Sequence, residues 1–67
     1  MIDETEQFAK NLIDFGKTWE IDSITSLGSE LLLHTESFDI EQMNLSLEKF
    51  PLLIDELKSY YTQNNTN

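Results

Sequence analysis

Apolar residues along the chain recur at spacings of three and four, and runs alternating with period two are absent. This is the pattern of amphipathic helices rather than half-buried strands. Phe8, Leu12, Phe15 and Trp19 follow at spacings of 4, 3 and 4 and share one face of a first helix, about residues 4–19. Asp3 stands before it as an N-cap, with Glu6 three residues on as a capping box requires. Gly16 lies within this pattern at a cost to local helix stability.

A short turn near Glu20 to Asp22 leads to a second helix, about 22–36, with Ile24, Leu27, Gly28, Leu31 and Thr35 as its inner stripe. Gly28 on that stripe either lets a neighbouring helix approach closely or is indifferent. The third helix, about 40–61, has the clearest start. Asp39 is placed to cap it, Gln42 is its third residue, and Phe38 with Met43 forms a hydrophobic staple. Ile40, Met43, Leu47, Phe50, Ile54, Leu57 and Tyr61 then repeat every seven residues, the pattern of a bundle seam. Pro51 interrupts the hydrogen bonding but not the phase, so one long helix with a kink near Pro51 is expected. Residues 62–67 lack apolar side chains and read as a disordered tail beyond a single domain, 1–61.

The fold expected is all-α, an antiparallel up-down-up three-helix bundle. It either stands alone or forms part of a four-helix or dimeric bundle. Helical projection sets Ile13, Leu33, Leu45 and Leu52 away from the inner stripes. These four are the candidate interaction surface, to be covered by another chain or by a further helix. A single core in 67 residues is marginal. That adds weight to a weak homodimer.

Composition narrows the function. Thirteen acidic against four basic residues give a net charge of −9, which excludes a nucleic-acid phosphate partner. No apolar run approaches the ~20 residues of a membrane span, and no secretion signal is visible, so a cytoplasmic location is expected. Without cysteine there is no disulfide framework and no thiolate metal site. His34 is the sole histidine and lies on a helix flank beside Glu30 and Glu36, with no Lys or Arg within a turn. That setting suits a solvated boundary side chain better than a phosphate acceptor. The remaining acids fit helix starts and solvated faces, and neither a calcium loop nor a phosphate-binding glycine loop occurs. No catalytic residue, metal ligand or cofactor is expected.

Four stretches carry a family resemblance: Phe8 to Lys17, Leu27 to Leu32, Ser37 to Met43 and Leu47 to Pro51. Together they resemble the C-terminal helical region of bacterial hybrid two-component sensor histidine kinases. That region is itself similar to a histidine phosphotransfer (HPt) domain, an antiparallel helical bundle. The likeness spans roughly Glu6 to Leu57, with Ser-Phe-Asp-Ile and Lys-Phe-Pro its most specific pieces. A phosphotransfer domain carries His-x-Leu-Lys-Gly-Ser, whereas His34 is followed by Thr35, Glu36, Ser37 and Phe38. The Lys and Gly are missing, so no active-site residue carries over. The resemblance therefore implies a non-catalytic module that docks a receiver or kinase domain, or organises a dimer, in phosphorelay signalling. The alternatives are genuine phosphotransfer through His34 and an unrelated acidic structural or regulatory protein.

Overall fold

The computed structural model describes residues 2–64, with side chains described for 2–62. Its elements are α1 (Ile2–Thr18), α2 (Asp22–Glu36) and α3 (Ile40–Asn64), with no strand among the described residues. The chain is all-α, as its periodicity predicts. Residues 62–64 continue α3 rather than forming a tail, because nothing in Thr62-Gln63-Asn64 breaks the 25-residue helix to which they belong. The rest of the expected tail, 65–67, lies outside the described residues.

α1 and α2 approach most closely where side chains are smallest. Ala9, Leu12 and Gly16 are the buried residues of α1. A Cβ added at Gly28 would lie 2.9 Å from both Ala9 O and Ile13 N. One added at Gly16 would lie 2.6 Å from Thr25 N. Each glycine therefore admits the backbone of the other helix, and the close-approach reading of Gly28 is the one the structure adopts. The pairings of 9 and 13 with 28, and of 16 with 25, run antiparallel.

α2 buries all of its expected stripe, Ile24, Leu27, Gly28, Leu31 and Thr35. The Thr35 hydroxyl is satisfied within the helix, donating to Leu31 O at 2.8 Å. On the other side of α2, Ser46 Oγ and Lys49 Nζ of α3 donate to the same Glu30 oxygen, at 3.0 and 2.8 Å. The Lys49 ammonium, followed by the Ser46 hydroxyl, holds the Glu30 carboxyl below its usual value against the opposing effect of burial. α3 runs through Pro51 as one helix. It begins as expected, with Gln42 N–H donating to Asp39 Oδ1 at 3.2 Å.

Several expectations need correction. α1 starts at Ile2, so Asp3 lies in its first turn, where its charge suits the helix dipole, and does not cap it. Phe15 and Trp19 are exposed rather than inner. The buried face of α1 instead follows the residues small enough to meet α2. Ile40 and Tyr61, at the two ends of the expected α3 seam, are also exposed, while Ser46, outside that seam, is fully buried. Phe38 is 69% exposed and forms no staple. It takes φ 56°, and Glu20 likewise takes φ 55°. Both sit just past a helix end, where Asp39 N–H reaches back to His34 O at 3.0 Å and Ile21 N–H to Gly16 O at 2.8 Å. These bonds close each helix in a left-handed turn that glycine usually occupies.

Candidate functional site

α1 and α3 both lie against α2, yet no Cα of one comes within 8 Å of a Cα of the other among the described residues. Across the gap the Phe8 and Phe50 rings meet, edge to face with centroids 5.3 Å apart. Such a pair contributes about 0.5–1.5 kcal/mol beyond its buried area. On either side of it the two parallel helices stand apart and an apolar groove opens.

Three hollows mark the groove's course. At one end Ile2, Thr5, Ile40, Met43 and Leu47 line the first, about 540 Å³. Next to the ring pair, Leu12, Phe15, Ile24, Phe50 and Ile54 line the second, about 250 Å³. At the far end Phe15, Trp19, Ile21, Ile24, Ile54, Leu57 and Tyr61 surround the third, about 560 Å³. Ile24 of α2 belongs to both of the last two and forms their floor. Phe15 and Trp19 lean on each other with ring centroids 6.3 Å apart, and Trp19 remains 65% exposed. Lys58 and Thr62 stand at the same hollow. An exposed aromatic cluster over an apolar floor offers contact area to a macromolecule.

The sequence-based surface divides differently. Ile13 is half-buried and lies against the site of Gly28, so it takes part in the α1–α2 contact. Leu33, Leu45 and Leu52 are exposed, as expected. Leu52 borders a cleft of about 390 Å³ between α2 and α3, beside Glu30 and Lys49. Of the four, the structure places Ile13 at the α1–α2 contact and Leu52 at this cleft. The groove's own residues read mostly as core in the sequence, because a period of three and four marks an apolar face without saying whether anything covers it.

His34 is half-buried in the last turn of α2. No group of three or more His, Asp or Glu positioned for a metal ion occurs among the described residues. No described helix is long and apolar enough to cross a membrane. No protein-family model, curated protein or solved structure matches the chain.

Proposed function

We propose that the chain is a non-catalytic protein-interaction module of cytoplasmic two-component signalling, docking a receiver or kinase domain. The observation supporting interaction is the apolar groove between α1 and α3, with Phe15, Trp19 and Tyr61 exposed along it. A chain with so few apolar residues to spare gains nothing by exposing three aromatics unless a partner covers them. The signalling assignment rests on the four stretches resembling hybrid sensor kinases. His34 lacks the Lys and Gly of a phosphotransfer site, which favours docking over transfer.

The test is a titration of receiver and kinase domains from the same cell's two-component proteins into the isotope-labelled chain. Saturable amide shifts along the groove are expected. No shift with any of these domains at millimolar concentration rejects the signalling assignment. His34→Gln should bind as the parent does, and acid-labile phosphohistidine at His34 would replace docking by phosphotransfer.

A weak homodimer is the second reading, favoured by the exposure of Leu33, Leu45 and Leu52. Its affinity should rise with salt, because screening relieves repulsion between two chains of charge −9. Sedimentation equilibrium across a salt series measures this, and a monomer at high micromolar concentration in moderate salt rejects it.

A further inference from the structure

We propose that the α1–α3 groove receives one amphipathic helix of another protein, apolar along one stripe and basic on its flanks. The guest completes a four-helix bundle. The inference rests on the interaction reading above and adds the chemistry of the partner.

Geometry supplies the first support. The groove has two parallel helical walls and, along its second and third hollows, a floor from α2, the arrangement left when one helix is taken from a four-helix bundle. α1, the shorter wall, has 17 residues, about 25 Å of helix. A guest of similar length would reach from the Ile2–Ile40 end to the Trp19–Tyr61 end.

Area supplies the second. A compact monomer of 7.8 kDa exposes about 4,400 Å². This chain exposes 5002 Å², an excess of about 600 Å². A standard interface buries about 800 Å² on each partner. The groove supplies part of this surplus, and Leu33, Phe38, Leu45 and Leu52, exposed elsewhere, supply another part.

Charge selects the guest. Lys10 and Lys17 project about 200° around α1 from Phe8 and Phe15, on the face away from the groove. Lys49 is held by Glu30 beside the opposite cleft. Lys58 does line the groove, but Glu4 lines it too. Asp14 and Asp55 stand about 100° from Phe15 and Ile54, on the two rims. With a total of −9, the surroundings favour Lys and Arg on the flanks of the guest. A second copy would bring its own nine negative charges to the same rims, so the groove prefers a foreign helix.

Trp19 is the only tryptophan and reports occupancy directly. Three tryptophan-free synthetic helices of about 18 residues serve as probes, matched to the length of α1. One has a leucine stripe with lysine flanks, the second the same stripe with glutamate flanks, and the third lysine flanks with serine in place of leucine. At physiological salt the first should shift Trp19 emission to the blue saturably, with a Kd at least tenfold below that of the second. The third should produce no shift. Trp19→Ala, which removes a mostly exposed ring, should keep the parent's circular dichroism and weaken the first probe tenfold or more by calorimetry.

Equal binding of the lysine and glutamate probes would overturn the basic flank. No binding of the first probe at millimolar concentration, or binding undiminished in Trp19→Ala, would overturn the groove as its site. Self-association that itself shifts Trp19 emission would give the groove to a second copy and overturn the proposal. Receiver or kinase docking that leaves Trp19 emission unchanged would overturn the groove while the interaction reading stands. Probe binding without any such docking would reject the signalling assignment alone.

Discussion

The two sides of α1 meet the rest of the molecule in opposite ways. Toward α2 it presents Ala9 and Gly16, and the helices close until backbone meets backbone. Toward α3 it presents Phe8 and Phe15, and Phe8 meets Phe50 across a groove. Small residues make a contact that tolerates no added atom; large ones make a contact that leaves room. The α1–α2 hairpin is therefore the rigid half of the molecule, and α3 is held at one flank with its other flank open. A recognition surface benefits from this division, because the open flank offers apolar area that the close-packed hairpin does not.

The largest predicted effect falls on the tight side. In an exposed helix interior, glycine to alanine gains up to about 1 kcal/mol. At Gly16 the new methyl would meet Thr25 N at 2.6 Å and Thr25 Cα at 3.0 Å, which are backbone atoms that cannot rotate away. Gly16→Ala should therefore cost about 2–3 kcal/mol despite the gain in propensity. That is most of what a domain this small has. Gly28→Ala should follow closely, since part of its clash is with the more yielding Ile13 Cγ1. Urea unfolding measures both. Unchanged midpoints would mean that the hairpin is not close-packed and would remove the contrast between the two sides.

On the open side the loss should be smaller. Phe50 is only half-buried, so Phe50→Ala should cost about 2 kcal/mol, below the ~3–5 of a fully enclosed phenylalanine. Phe8→Ala should cost a similar amount, and the double variant less than the sum, because both remove the same ring contact. Strict additivity in this cycle would show that the rings do not hold α3 to α1.

How far the sequence could be read follows the same division. Helix number, the α2 stripe and the Asp39 cap were legible, because each depends on local spacing or on a side chain reaching its own backbone. The α1 face was not. Phe8, Leu12, Phe15 and Trp19 are the strongest apolar signal in that segment, but close packing rewarded Ala9 and Gly16, which hydropathy barely registers. The Ile13 contact is equally silent in the sequence, since its neighbour across the interface is a glycine on a different helix. The groove was hidden because periodicity identifies the faces of α1 and α3 but not the distance between them. Ser46 could not be read as buried either; its hydroxyl is tolerated inside only because Glu30 accepts from it.

The helix ends give a prediction of opposite sign. Glu20 holds φ 55°, a conformation that costs an L-residue about 1 kcal/mol or more and costs glycine nothing sterically. Glu20→Gly should raise stability by about 0.5–1 kcal/mol after the entropy of the unfolded glycine is counted. It also removes one negative charge from a chain of −9, so the neutral control Glu20→Gln separates the two contributions. A gain in the glutamine variant equal to that in the glycine variant would assign the effect to charge and not to the left-handed turn.

The smallest effect concerns the bond that fixes α3 to the hairpin. Glu30 and Lys49 are 2.8 Å apart and well exposed, so Glu30→Gln should cost no more than about 0.5–1 kcal/mol at neutral pH. The sign of its pH dependence follows from the lowered Glu30 pKa. The folded state prefers the ionised carboxylate, so its contribution is complete above the ordinary value of 4.5 and is lost as pH falls through the lowered folded value. Relief of the net negative charge acts in the other direction over the same acid range, and it is common to parent and variant. Subtraction removes it: the difference in stability between parent and Glu30→Gln should be constant from pH 7 to about 5 and close toward zero on further acidification. A difference that widens in acid would mean that the carboxyl is stabilised in its protonated form, and that Ser46 and Lys49 do not hold the charge that joins the rigid half to the open one.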